Sequence, residues 1–250
     1  RQMCIRDRFW RAPTENDLGA RLDARFGVWK SPVLKLTQFD AVTEEGVAVV
    51  TARYEMPQVK CVLTMTYRIN GAGEVSVTEQ LEAGDAEAPG MFRFGMTMAM
   101  PARYSEIVYY GRGAHENYCD RLSSADLGLY SQKVADQYHD EYVRPQESGT
   151  KSDLRWWSVV DSSGSGLVIL SEAPFSASAL PYATEALDVT NFPPQQHSGP
   201  LRSGDRTYVN FDLRQMGLGC INSWGELPED QYMIPCGDYT FRFLLRPTVK

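Results

Sequence analysis

Three glutamates stand among neighbours that could put them to chemical use. Glu15 lies in Phe-Trp-Arg-Ala-Pro-Thr-Glu-Asn-Asp-Leu-Gly (9–19), and Glu116 in Tyr-Tyr-Gly-Arg-Gly-Ala-His-Glu-Asn-Tyr-Cys-Asp-Arg (109–121). Glu147 lies in Tyr-Val-Arg-Pro-Gln-Glu-Ser-Gly (142–149). Carboxylates do acid–base or nucleophilic work in pairs that flank one bond, and no spacing in this chain singles out such a pair. The loop carrying His115, Glu116, Asn117, Asp120 and Arg121 follows a strand that ends in Gly111 and Gly113. Such a density of donors and acceptors makes either a binding loop or a buried polar network. We read it as a network that orders the loop, with Arg11, Glu116, Asn117 and Arg121 as members. Glu147 and Arg155 are expected to pair across one face, a structural use of charge.

The other stretch with chemical potential is Gln-Met-Gly-Leu-Gly-Cys-Ile-Asn-Ser-Trp-Gly-Glu (215–226). Gly217, Gly219 and Gly225 let neighbouring chain or a ligand approach closely. Trp224 offers a flat apolar face and one N–H donor, which suits a sugar ring, and Asn222 stands beside it. The competing reading of Trp224 is a buried indole in a tight turn. His197 reads as a satisfied structural histidine. No Ser-His-Asp pattern, phosphate loop or dinucleotide fingerprint is evident.

The elements that must position these residues are strands. From Val33 the hydrophobic period is two: Val47–Glu55, Cys61–Ile69, Glu74–Leu81, Phe92–Met100, Arg206–Leu213 and Tyr239–Leu245 read as strands. Asn70-Gly71 with Gly73 marks a hairpin turn, and Val159–Leu170 a hairpin around Ser162-Ser163-Gly164. Phe92, Phe94, Met96, Met98 and Met100 form a core stripe, with Arg93 and Thr97 on the opposite side. Only Ala20–Trp29 reads as a short helix. Residues 1–8 show neither period and are set aside as extraneous or disordered, leaving 9–250 as one domain.

The chain has 250 residues, enough for one large all-β domain. A net charge of −7 without a basic run argues against nucleic acid or an anionic membrane as partner. No apolar run approaches the roughly 18 residues that span a bilayer. Cys4, Cys61, Cys119, Cys220 and Cys236 are an odd set without close or metal-type spacing. Reduced, structural cysteines are expected, which fits the cytoplasm and is also compatible with a periplasm.

Several of these motifs together resemble the last domain, or small chain, of β-galactosidases of glycoside hydrolase family 2. Phe9–Gly19 is similar to that family's entry motif to the domain. The segment 109–121 is similar to Gly-x-Gly-Pro-x-Glu-Asn-Tyr-x-Asp-Arg, with Ala114 in place of Pro, and 142–149 to Tyr-x-x-Pro-Gln-Glu-Asn-Gly, with Ser148 in place of Asn. The stretch 216–224 resembles Met-Gly-x-Gly-Gly-Asp-Asn-Ser-Trp, with Cys220 and Ile221 replacing Gly and Asp.

The resemblance implies a large antiparallel β-supersandwich, like galactose mutarotase in shape. It implies that the parent removes terminal non-reducing β-D-galactosyl residues with retention, with both catalytic glutamates in a preceding barrel domain. No catalytic residue is then expected here. Trp224 would pack on sugar with Asn222 beside it, and Asp17 with Gly19 would begin a mobile loop. No cofactor or metal is expected in this chain; a divalent cation (Mg or Ca) would belong to upstream domains. The implied partners are the barrel, in cis or as a separate subunit, and a galactoside, with room for an oligomeric parent. The isolated chain is expected to be inactive. A stand-alone carbohydrate-binding or aldose-1-epimerase-like domain is the alternative.

Overall fold

The computed structural model describes residues 5–84, 87–189, 197, 201–219, 221–222 and 225–248. Among these described residues twelve antiparallel strands form one sheet, so the expected all-β antiparallel class is observed. The strands that set its shape are β10 (Gly166–Leu180), β11 (Arg206–Gln215) and β12 (Tyr239–Thr248). One edge of β10 pairs with β12 through Gly166–Ser171 and with β11 through Ser176–Leu180. Its other edge carries β9 (Lys151–Val160). The sheet therefore forks at β10, between its two halves.

One branch runs from β12 through β5 (Val75–Glu82), β4 (Cys61–Ile69) and β3 (Val47–Met56) to the edge strand β2 (Lys35–Glu44). The second runs from β11 through β6 (Arg93–Pro101) to β1 (Ile5–Arg8). On the far side of β10, β9 carries β7 (Glu106–Gly113) and then β8 (Asp126–Lys133). The first two branches face each other across aromatic contacts. Phe94 of β6 lies 5.3 Å from Tyr239 of β12, and Phe211 of β11 lies 5.0 Å from Phe243. Burying this apolar surface is what holds the branches together.

The expected core stripe Phe92, Phe94, Met96, Met98 and Met100 is buried throughout. Arg93 is also buried, contrary to its expected place on an outer side, because residues 147–150 and Asp212 cover that face. Asn70–Glu74 makes the expected turn, with Gly73 at φ 79° supplying the left-handed residue.

Two expectations need correction. Ile5–Arg8, set aside as extraneous, pairs in register with Met98–Gly95 of β6, and Arg8 is buried against Asp212. An isolated four-residue run shows no period of its own, so only its partner strand reveals it. Ala20–Trp29 is not one helix. It holds a four-residue helix α2 (Leu22–Arg25), preceded by α1 (Glu15–Gly19) and followed by a 3-10 turn at Gly27–Trp29. Arg21 at φ 55° separates α1 from α2.

Glu79 on β5 is wholly buried and neither carboxylate oxygen has a hydrogen-bond partner. Burial, with Asp7 and Asp212 nearby, pushes its pKa well above the ordinary 4.5. Above that value the unfolded chain releases the proton that the folded chain retains, so the unfolded state binds fewer protons and stability falls as pH rises. Glu79→Gln keeps a neutral group at every pH. Its melting temperature should exceed that of the native chain at neutral pH, with the gap closing below about pH 4.5. A gap that is constant from pH 4 to 8 would refute a buried protonated Glu79.

Candidate functional site

From β1 the chain runs through Phe9–Pro13 and turns at Thr14, where a capping box opens α1. Thr14 Oγ1 accepts the Asp17 N–H at 3.3 Å, and Asp17 Oδ2 accepts the Thr14 N–H at 2.8 Å. The same carboxylate holds Arg11, whose Nε and Nη2 donate to it at 2.9 and 2.7 Å. Two of the remaining three guanidinium hydrogens reach the carbonyls of Met216 at 2.8 Å and Gly217 at 3.0 Å. The guanidinium lies 4.8 Å over the Phe92 ring. Burial works against its charge, but Asp17 outweighs that and holds the pKa of Arg11 above its ordinary value.

This buried pair joins the entry loop to the stretch that begins at Gln215. Asn16 Nδ2 donates to the Leu218 carbonyl at 3.3 Å, and the Gly219 N–H donates to Asp120 Oδ2 at 2.9 Å. Further along, Gly225 packs on the end of α1. A Cβ at Gly225 would lie 2.5 Å from the Gly19 carbonyl carbon, and Gly225 itself takes φ 82°. Gly19 has an ordinary φ. Its lack of a side chain instead permits the close approach of Gly225, whose Cα would lie 3.3 Å from a Cβ at Gly19.

Glu15, Glu116 and Glu147 line one cavity of about 210 Å³ with Asn16, Tyr118 and Tyr142. Each carboxylate is held by arginine. Glu15 pairs with Arg144 at 3.2 Å and Glu116 with Arg121 at 2.6 Å, while Glu147 pairs with Arg93 and with Arg8 at 3.3 Å. Glu116 also accepts from Tyr142 Oη at 2.6 Å and the Gly149 N–H at 2.9 Å. Burial raises its pKa, but these donors, with His139 and Arg121, prevail and hold it below the usual range. Asn117, fully buried, donates to the carbonyls of Arg112 and His115 and accepts the Ser152 N–H.

Arg11, Glu116, Asn117, Arg121 and Glu147 thus come together in ordered polar networks. Arg155 does not. It is exposed on β9, and the expected Glu147–Arg155 pair is replaced by Arg93 and Arg8. Strand β9 is irregular here: Asp153 takes φ 52°, and the register against β10 shifts on both sides of Leu154. Asn222 is exposed and accepts the Glu226 N–H at 3.4 Å. Trp224, like Ser223, lies outside the described residues.

Sequence reasoning missed the centre of the charge network. Arg8 and Arg93 bracket Asp212, with Arg8 Nη1 at 2.5 Å and Arg93 Nη1 at 3.5 Å from Oδ2. Burial lowers the pKa of Arg93 to about 10, with Asp212 opposing the shift. Lys151 also went unnoticed. Its Nζ donates to Gln137 Oε1 at 2.8 Å and to the Gly149 carbonyl at 3.2 Å, and burial brings its pKa down to about 8. Only Arg93, within the Phe92–Met100 alternation, left any trace in sequence.

The contact between α1 and Gly225 sets an order of sensitivity. Gly225→Ala should cost about 1–3 kcal/mol through left-handed strain and backbone collision. Gly19→Ala places its Cβ 3.3 Å from Gly225 Cα and should cost less. Thermal unfolding of the two variants checks this, and the reverse order would mean that the two loops do not pack as described.

The model of the Beta galactosidase small chain family matches residues 1–245. The chain is 31% identical over 246 residues to a beta-galactosidase of Priestia megaterium, covering 97% of this chain and 23% of that protein. It is 31% identical over 229 residues to a beta-galactosidase of Lactobacillus delbrueckii subsp. bulgaricus, covering 90% and 22%. The chain thus spans less than a quarter of the length of these relatives. Among solved structures it aligns with the GH36 alpha-galactosidase AgaA of Geobacillus stearothermophilus, with a TM-score of 0.46 and 9% identity, over 88% of this chain and 28% of that one. The family match runs through β1, the entry loop and the stretch that Arg11 ties to it, and the chain belongs to the beta-galactosidase small chain family.

Proposed function

We propose that this chain completes the sugar-binding site of a retaining β-galactosidase of glycoside hydrolase family 2, whose catalytic barrel lies outside residues 1–250. The supporting observation is the buried Arg11–Asp17 pair, which binds the Met216 and Gly217 carbonyls and so makes one surface of the entry loop and the Trp224 stretch. A free-standing sugar-binding domain has no need of a rigid tie between its first loop and that stretch. A domain that docks on another does, because the surface it presents has to keep one shape.

In this reading the chain performs no proton transfer. Glu15, Glu116 and Glu147 hold arginines and shape the wall, and the barrel supplies acid/base and nucleophile. Galactoside hydrolysis with retention needs two carboxylates roughly 5–5.5 Å apart, each free to act on the substrate. The acids lining the cavity are instead held in ion pairs. A divalent cation, Mg or Ca, belongs with the upstream domains. Trp224 gives binding energy by stacking on the sugar or its aglycone, with Asn222 beside it.

The purified chain should not turn over a chromogenic β-galactoside, and activity should appear when the upstream portion of the same parent is added. Turnover by the chain alone, abolished by changing Glu15, Glu116 or Glu147, would overturn the proposal. Sugar binding without any gain on adding the upstream portion would favour the stand-alone binding domain.

In the full-length parent, Trp224→Ala should weaken substrate or acceptor binding about tenfold to a hundredfold, equivalent to about 1–3 kcal/mol for covering one ring face. Thermal unfolding should change little. A core indole would instead cost about 3–5 kcal/mol of stability and leave the Michaelis constant of the surviving enzyme unchanged.

A further inference from the structure

Cys61 and Cys236, 175 positions apart in sequence, meet with their sulfurs 3.5 Å apart. Cys61 opens β4 and is buried, its Sγ donating to the Val59 carbonyl at 3.3 Å. Cys236 is half-buried, in the segment between the 3-10 turn Asp230–Tyr232 and β12. That segment is pinned on both sides of the cysteine. The Met91 N–H donates to the Ile234 carbonyl at 2.9 Å, and the Ala83 N–H donates to Asp238 Oδ1 at 2.8 Å. Tyr239 Oη closes the turn onto the Pro235 carbonyl at 2.7 Å. Both sulfurs are thus presented to each other by anchored backbone.

We propose that Cys61 and Cys236 are a covalent modification site, a dithiol that closes to an intramolecular disulfide under oxidising conditions. A disulfide bond is about 2.05 Å long, so the sulfurs need to approach by about 1.5 Å, within reach of side-chain rotation and a small shift of the 234–238 segment. The half-exposed Cys236 is the entry point. Its thiolate attacks a low-molecular-weight disulfide such as oxidised glutathione, forming a mixed disulfide and releasing one glutathione thiolate. The Cys61 thiolate then attacks the Cys236 sulfur and displaces the second glutathione. Two cysteine thiols lose two protons and two electrons, and one glutathione disulfide becomes two glutathione thiols.

Closure would tie the start of β4 to the segment that follows the 215–226 stretch and leads into β12. A bridge across so long a loop constrains the unfolded chain strongly. The remaining described cysteine, Cys119, is elsewhere, its Sγ donating to the Gln215 carbonyl at 3.2 Å. Burial pushes the pKa of its thiol up to about 11, which makes it a poor competitor in exchange.

The test uses the full chain equilibrated in glutathione buffers of rising oxidised fraction, then alkylated, digested without reductant and mapped by mass spectrometry. The expected result is one Cys61–Cys236 cross-linked peptide pair, an intact mass lower by about 2 Da, and a melting temperature higher by about 5–10 °C that dithiothreitol reverses. Cys236→Ser should abolish the cross-link and make the melting temperature independent of the redox buffer. Cys61→Ala should do the same, which guards against loss of folding in either variant alone. The proposal fails if both thiols remain open to alkylation in excess oxidised glutathione, or if the cross-link recovered joins other cysteines or two chains.

Discussion

The constraint on which the site depends is the burial of one guanidinium. Arg11 leaves water with four of its five N–H hydrogens accepted, and the acceptors come from two places distant in sequence: Asp17 nearby, and the Met216 and Gly217 carbonyls. Satisfying that one group fixes the entry loop, opens α1 through the same carboxylate, and sets the path of the chain as it leaves β11. Gly19 and Gly225 then come together because neither has a side chain to keep them apart.

A second buried charge layer supports the first from below. Arg8, Arg93, Glu147 and Asp212 come from β1, β6, the 142–149 segment and β11. They lie where β11 has parted from β12 along the edge of β10. A fork in a sheet opens a gap between its branches. Here the gap beside β6 is filled by mutually compensating ions, while the aromatic contacts of Phe94, Phe211 and Phe243 close the apolar side. Removing any one of the four ions would leave one net charge buried in the layer, which is costlier than a single pair is stabilising. Glu147 joins this layer to the cavity beside α1, which it also lines.

The strands were legible in sequence because a half-buried antiparallel strand repeats every two residues, an alternation clearest in the burial of β4, β5 and β12. The polar loop around Glu116 and Asn117 was legible as an ordered network for a similar local reason: donors and acceptors packed into a few residues must find partners when buried. The polar identity of Arg93 pointed outward by pattern, and the structure turned that inference over, because the outer face of β6 is covered by 147–150 and Asp212. The pairing of Glu147 failed likewise: an ion pair is chosen by distance across the fold, and Arg93 and Arg8 reach it while Arg155 is exposed on β9.

By itself the sequence determined the class of fold, the turns, the core stripe of β6 and the residue types available to the site, because each depends on local period or local backbone freedom. Only the tertiary structure decided that Ile5–Arg8 is a strand, that Arg11 reaches the carbonyls of Met216 and Gly217, that three glutamates surround one cavity already neutralised by arginine, and that Cys61 meets Cys236. These are contacts between residues remote in sequence. No local pattern encodes them, since they exist only once the forked sheet brings its branches and loops to the same place.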